Sequence, residues 1–99
     1  MEIVKTKEGS VLNIVVKGRL ETATAPQLDA EVKGLAADVM DMTFDFSELE
    51  YVSSAGLRVI LMAQKTMSAR KGSFKLAGVN ATVKKVLDLT GFSPLLTFV

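Results

Sequence analysis

Two adjacent serines, Ser53 and Ser54, occupy a position in this 99-residue chain where a side chain could support chemistry. They lie in the segment LEYVSSAGL (residues 49–57), between an apolar segment and a long amphipathic run, and so at the expected N-terminus of a helix. The unpaired N–H groups and the positive dipole end of a helix start favour negative charge. A hydroxyl there could accept a phosphate, whereas the simpler interpretation is that both serines only cap the helix.

The Ala-Gly pair directly after the serines has little side-chain bulk, which would let another molecule come close to the backbone there. Gly is less favourable than Ala inside a helix by about 1 kcal/mol. A weak helix start without bulky side chains therefore suggests that another molecule approaches Gly56 closely. A phosphate on such a surface would gain helix-terminal N–H partners, leave the fold intact and change what can bind.

Residue types elsewhere in the chain argue against an autonomous enzyme. The sequence has no histidine and no cysteine, which removes the commonest general base, metal ligand and thiolate nucleophile. It also lacks a G-x-S-x-G elbow and a glycine-rich phosphate loop. Asp45, Glu48 and Glu50 could together hold a divalent cation, but a solvated turn rim is the favoured interpretation of these carboxylates, because calcium loops carry more ligands in a set order. No cofactor and no metal is expected.

Charge and hydropathy argue against nucleic-acid-binding and membrane-inserted proteins. The formal net charge is +1 with the basic residues dispersed, so neither nucleic-acid binding nor attraction to an anionic membrane is indicated. No apolar run approaches the roughly 18 residues of a membrane span, and the N-terminus lacks the apolar core of a signal peptide. The sequence predicts a cytoplasmic protein without direct membrane insertion.

The periodicities predict alternating strands and helices. A hairpin is expected first, with strands at 1–6 and 11–17 around the turn KEGS. A helix follows from a capping box of Thr24 and Gln27. Its apolar stripe extends through Leu28, Val32, Leu35, Ala36 and Val39. The remaining elements are a buried strand at 42–46, a long helix at 54–70 stopped by Gly72, a strand at 74–77, a helix at 81–89 with Asn80 as cap and Gly91 as stop, and a final strand at 95–99.

This order of elements predicts the fold class. Alternation of strand and helix through the middle of the chain indicates an α/β layered domain with parallel central strands. The initial hairpin adds an antiparallel edge. A length of 99 residues is typical of a single domain, here residues 1–99.

Three segments carry a resemblance to a known family. FDFSELEYVSSAGLRVIL (44–61) resembles the signature of the STAS-domain anti-sigma factor antagonists, also called anti-anti-sigma factors. GRLETATAPQL (18–28) and LAGVNATVKKVLDLTGF (76–92) are similar to two further blocks of that family. The resemblance spans nearly the whole chain and implies a STAS fold, with a mixed four- to five-stranded sheet and three or four helices.

The resemblance also implies a phospho-regulated partner switch in transcription. In this family the unphosphorylated antagonist binds an anti-sigma factor that is also a serine kinase. The kinase releases the antagonist by phosphorylating one serine, and a metal-dependent serine phosphatase resets the cycle. The matching serine here is Ser54, with Ser53 as the second candidate. The alternative is a STAS regulatory subunit of a lipid or anion transport complex, because the same fold serves in both settings.

Two departures from the family pattern stand out, namely Ser53 and Glu21, at positions where many relatives have Asp. We expect Ser53 to help cap the helix and Gly56 to leave room for the partner. Val59 and Met62 are expected to be exposed on the partner surface, or alternatively to form a second flank of the core. The predicted partner-binding residues are Glu21, Thr22, Ser53, Ala55, Gly56, Arg58, Val59 and Met62.

Overall fold

The computed structural model describes residues 1–99 and contains five strands and three α-helices. The strands are β1 (Glu2–Glu8), β2 (Val11–Leu20), β3 (Asp41–Asp45), β4 (Leu49–Val52) and β5 (Ser73–Ala77). The helices are α1 (Ala25–Lys33), α2 (Ser54–Ala69) and α3 (Ala81–Leu89). The predicted α/β class, with a mixed sheet of four to five strands and three or four helices, is confirmed.

β2 is the centre of the sheet because three other strands pair with it. β1 pairs with it antiparallel through the turn at Gly9, while β3 and β4 pair with it parallel. β5 extends the sheet beyond β3, also parallel, so the strand order is β1-β2-β3-β5 with β4 beside the end of β2. The expected parallel centre with an antiparallel edge is therefore confirmed.

β4 was not predicted from the sequence. Its four residues have no strict alternation, since Leu49 and Val52 are buried while the two residues between them are exposed or half-buried. β2 also runs three residues beyond its predicted end. Its register shifts at Gly18, so that the first part of β2 pairs with β3 and its last residues pair with β4.

The start and the length of α1 differ from the prediction. The hydroxyl of Thr24 makes no cap bond to the helix and instead donates to the carbonyl oxygen of Arg19 at 2.7 Å. The capping box is therefore wrong. The helix ends at Gly34, so the predicted stripe is helical only through Val32, and Val39 reaches the core from the following loop.

The helix α2 ends one residue earlier than predicted. Lys71, not Gly72, takes the left-handed conformation, with φ +59°. The N–H of Lys71 donates to the Ser68 carbonyl at 3.0 Å and that of Gly72 to Met67 at 2.9 Å, which is the Schellman pattern. The Arg70 guanidinium donates to carbonyl oxygens of the loop after α1, at 2.6 and 3.1 Å.

The ends of α3 agree with the prediction, whereas the last strand does not form. The Asn80 side chain caps α3 by accepting from the Val83 N–H at 2.8 Å, and Gly91 follows the helix with φ +79°. The predicted strand at 95–99 is reduced to one parallel bridge between Phe98 and Leu76. A 3-10 turn, Ser93–Leu95, precedes it.

The core is a cluster of 23 buried hydrophobic residues contributed by the sheet and the helices. The helices α1 and α2 pack against each other, and α2 also contacts β4 and β5. None of the helices has the length and apolar character needed to cross a membrane.

Candidate functional site

The N-terminus of α2 is attached to the end of β2 by main-chain hydrogen bonds. The N–H of Ser53 donates to the carbonyl oxygen of Leu20 at 2.9 Å. The carbonyl of Ser53 in turn accepts from the N–H of Leu57 at 2.9 Å, which makes Ser53 the N-cap residue of the helix. Ser54 is the first helical residue, and it is exposed.

The two serine hydroxyls have different surroundings. The Ser53 hydroxyl oxygen is buried and has no hydrogen-bond partner. It also makes no cap bond to α2, so the expectation that its side chain caps the helix is wrong. The main chain of Ser53 performs that role, and Ser54 is the serine of this pair that is exposed to solvent.

Gly56 faces the interior of the protein. A Cβ placed on it would lie 2.6 Å from Cγ of Leu20 and 2.9 Å from Cγ2 of Val52. The expectation that its missing side chain leaves room for a partner is therefore wrong. The glycine instead lets the first turn of α2 pack directly on the ends of β2 and β4.

The turn between β2 and α1 lies beside this helix start. The Thr24 hydroxyl accepts from the Glu21 N–H at 2.9 Å and so holds the turn together. The Glu21 carboxylate is half-buried and pairs with Arg19 at 3.2 Å, while the Arg19 guanidinium stacks on the Tyr51 ring at 4.7 Å. Glu21 is thus engaged within the chain, whereas the neighbouring Thr22 is exposed.

A groove of about 400 Å³ lies along the surface between α1 and α2, and we name it the α1–α2 groove. It brings together five of the predicted partner-binding residues. Of the two expected to be exposed, Val59 is only 7% exposed and belongs to the core, while Met62 is half-buried. The groove is lined by Thr22, Ala25, Pro26, Asp29, Lys33, Ala55, Arg58, Val59 and Met62.

The α1 wall of this groove was missed by the sequence analysis. Pro26, Asp29 and Lys33 recur at intervals of three and four residues, which is the spacing of one helix face. That spacing could identify a common face but not that it opposes α2. Asp29 and Lys33 form an ion pair at 2.9 Å, whereas Arg58 on the opposite wall has no acidic partner.

A second groove, of about 450 Å³, lies on the other side of α2, and we name it the C-terminal groove. The sequence does not predict this groove, and its predicted strand at 95–99 places Leu95 in the sheet instead. Phe92 and Leu95 are 38% and 60% exposed along its far wall. Its lining residues are Arg58, Leu61, Met62, Lys65, Phe92 and Leu95, so Arg58 and Met62 separate the two grooves.

The acidic residues before the serines do not converge on a cation site. No group of three acidic side chains is close enough to hold a metal ion. The Asp45 carboxylate accepts from the Ser47 N–H at 2.9 Å, and Glu48 pairs with Lys17 at 3.5 Å. These contacts fit the solvated turn rim.

Comparison with known proteins places this architecture in a family. Residues 3–97 match the family model described as "Mlab, STAS domain". The chain is 33% identical over 96 residues to BtrV of Bordetella bronchiseptica, a protein named as an anti-sigma factor antagonist, with 93% of this chain and 80% of BtrV covered. It is 25% identical to the anti-sigma-B factor antagonist of Bacillus subtilis, covering 94% and 84% of the two chains. Both names designate regulators rather than enzymes.

Solved structures share the fold. The anti-sigma factor antagonist SpoIIAA in its unphosphorylated form superposes with a TM-score of 0.82 at 19% identity, covering 99% of this chain and 88% of SpoIIAA. A sulfate transporter family protein from Wolinella succinogenes gives 0.77 at 16% identity, covering 90% and 76%. The chain therefore belongs to the STAS-domain family that includes the anti-sigma factor antagonists.

Proposed function

We propose that this protein is an anti-sigma factor antagonist whose binding to its partner is switched off by phosphorylation of Ser54. The observation that carries the proposal is the contrast between the two serines at the start of α2. Ser54 is exposed at the helix N-terminus, while the Ser53 hydroxyl is buried. Relatives named as anti-sigma factor antagonists support the general role.

The partner surface is centred on Ser54 and the α1–α2 groove. Thr22, Ala55, Arg58 and Met62 line this groove from the turn before α1 and from α2. They combine apolar surface, a hydroxyl and one cation without an acidic partner, which suits a partner that presents an apolar anchor beside an acidic group. Methionine adapts to irregular partner surfaces.

Phosphorylation would be carried out by the anti-sigma factor itself, acting as a serine kinase. The Ser54 hydroxyl oxygen attacks the γ-phosphorus of ATP, the bond from that phosphorus to the bridging oxygen of ADP breaks, and ADP leaves. The hydroxyl proton passes to a base of the kinase. A phosphate of about −1.5 to −2 charges would then replace a neutral hydroxyl in the interface, and the complex would dissociate.

The fold tolerates this modification, because the phosphate lies where the helix offers N–H groups without intrahelical partners. Hydrolysis by a metal-dependent serine phosphatase would restore the hydroxyl and the binding-competent state. An ATP-dependent cycle of this kind would operate in the cytoplasm.

The experiment that tests this proposal uses the purified chain with the anti-sigma factor kinase that the proposal names as its partner. Phosphosite mapping by mass spectrometry after incubation with ATP is compared for the natural chain, Ser53→Ala and Ser54→Ala. We expect phosphate on the first two proteins and none on Ser54→Ala. Phosphate on Ser53 in the Ser54→Ala protein would assign the site to the other serine.

The affinity for the same kinase tests whether a negative charge at position 54 releases the partner. Ser54→Ala should bind about as tightly as the natural chain, whereas Ser54→Asp should bind at least about tenfold more weakly because its charge opposes the interface. Equal affinity of the two variants would exclude a switch at Ser54. Alanine at Arg58 or Met62 should weaken binding, and unchanged affinity in both would exclude the α1–α2 groove as the partner surface.

A second candidate function is a STAS regulatory subunit of a lipid or anion transport complex. The fold shared with a sulfate transporter family protein supports it. This function predicts stable association with a transporter subunit that is equally strong for Ser54→Ala and Ser54→Asp. Purification with the products of neighbouring genes separates the two functions.

A further inference from the structure

Arg58 is an exposed cation without an acidic partner, one helical turn after Ser54. It forms neither an ion pair nor a side-chain hydrogen bond, unlike Arg19 and Arg70, which are both engaged. It also lines both the α1–α2 groove and the C-terminal groove. Its charge therefore contributes to two adjoining surfaces at once.

Ser54 and Arg58 lie on the same face of α2, four residues apart. Residues four apart on a helix are neighbours, with their Cβ atoms about 5–6 Å apart. Side chains on a helix lean toward its N-terminus, so a long side chain at position 58 covers the turn that begins at Ser54. The planar guanidinium fork matches the oxygen geometry of a phosphate.

The charged groups around Arg58 leave it available for an anion on Ser54. Asp29, the acidic residue lining the α1–α2 groove, is bonded to Lys33 at 2.9 Å. Glu21 in the neighbouring turn is bonded to Arg19 at 3.2 Å. The remaining charged residue of the C-terminal groove is Lys65, a second cation on α2.

We propose that a phosphate on Ser54 is bound by the guanidinium of Arg58, together with the first-turn N–H groups of α2. This inference rests on the proposed phosphorylation of Ser54 and states how that event changes the surface. Phosphorylation adds an anion at the helix start and at the same time neutralises the cation shared by the two grooves. An acidic partner side chain that binds Arg58 in the unphosphorylated protein then loses its counter-ion.

The test needs no kinase, because phosphoserine can be incorporated at position 54 by genetic code expansion. The second ionisation of the phosphate is followed by ³¹P NMR in four proteins, namely the phosphorylated natural chain and its Arg58→Gln, Arg58→Lys and Lys65→Gln variants. Arg58 and Lys65 are both exposed on α2, so each variant should fold, which amide NMR spectra verify. Lys65→Gln is the matched control because it removes the same charge eleven residues from Ser54.

In the natural chain Arg58 should favour the doubly charged phosphate, which lowers its pKa. Arg58→Gln should therefore raise the proton affinity of the phosphate about twofold or more, with a smaller effect in Arg58→Lys and almost none in Lys65→Gln. The Arg58 Nε resonance should also shift on phosphorylation. Coinciding titration curves for the natural chain and Arg58→Gln would overturn the proposal, even if a kinase modifies Ser54. Conversely, absence of phosphate from Ser54 after incubation with the kinase and ATP would refute the proposed function without affecting this result.

Discussion

Gly56 and Leu20 are in direct contact across the junction of α2 and β2. A Cβ on Gly56 would lie 2.6 Å from Leu20 Cγ and 2.8 Å from the Leu20 carbonyl oxygen. The same carbonyl accepts the Ser53 N–H. One residue of β2 therefore both anchors the helix start and fixes how closely the helix approaches the sheet, which places Ser54 at the surface.

Gly56→Ala should consequently destabilise the protein although Ala is the better helix former. The gain in helix propensity is about 1 kcal/mol. Overpacking against Leu20 and Val52 should outweigh it and leave a net loss of about 1–2 kcal/mol in the free energy of unfolding. Urea denaturation measures this loss.

Gly34→Ala is the matched control for that substitution. Gly34 has φ −87°, and its added Cβ would meet only the Ala30 carbonyl oxygen, at 3.3 Å. We expect a change within about 0.5 kcal/mol. If the two variants have equal stability, the close approach at Gly56 is not a determinant of the fold.

Ser53→Ala distinguishes a capping hydroxyl from an unpaired buried one. Replacement of a capping serine by alanine would lower the free energy of unfolding by about 1 kcal/mol. The Ser53 hydroxyl is buried without a partner, and such a group is unfavourable by about 1–3 kcal/mol. Ser53→Ala should therefore leave the free energy of unfolding unchanged or raise it, as measured by urea denaturation.

Asn80→Ala provides the positive control for capping. The Asn80 side chain accepts from the Val83 N–H at 2.8 Å and donates to the Leu49 carbonyl at 2.7 Å. Its replacement should cost about 1–2 kcal/mol. A comparable loss for Ser53→Ala would mean that the Ser53 hydroxyl does cap α2.

Lys71→Gly should stabilise the protein. Lys71 holds a left-handed conformation that costs a side-chain-bearing residue about 1–2 kcal/mol. Glycine adopts it freely but loses more backbone entropy on folding. We expect a net gain of about 0.5–1 kcal/mol in thermal or urea unfolding, and a loss of stability would contradict the Schellman assignment.

Acid should weaken the fold through two aspartates. A hydrogen bond from Lys7 lowers the pKa of Asp38, and hydrogen bonds from Lys84 and then Ser93 lower the pKa of Asp88, both from an ordinary value of 3.8. A carboxyl group whose pKa is lower in the folded state than in the unfolded state stabilises the folded protein at pH values above the unfolded-state pKa. This stabilisation is lost as the pH falls below 3.8 toward the folded-state pKa. Both side chains are exposed, so the effect should be small and sensitive to salt.

Asp88→Asn isolates one of these contributions. The variant should show a shallower decline of unfolding free energy between about pH 5 and pH 3 than the natural chain. The measurement is urea denaturation at a series of pH values at low ionic strength. An unchanged slope would mean that the Lys84 contact does not persist in solution.

Much of the fold follows from local patterns. The alternation of Leu12, Ile14 and Val16 specifies one buried face of β2, and helical spacing specifies α2. Asn80 and Gly91 mark the ends of α3 because capping chemistry acts over a few residues. The short β4 could not be predicted, since four residues carry too little periodicity.

The candidate site was only partly predictable for a different reason. The sequence by itself determined that two serines and a weak helix start follow an apolar segment. The resemblance of residues 44–61 indicated Ser54 as the candidate phosphoacceptor. The tertiary structure decided that Gly56 packs against Leu20, that the Ser53 hydroxyl is buried, and that Arg58 separates two grooves. These features depend on how α2 meets β2, α1 and the C-terminal segment, and contacts between distant segments leave no period or local signal in the sequence.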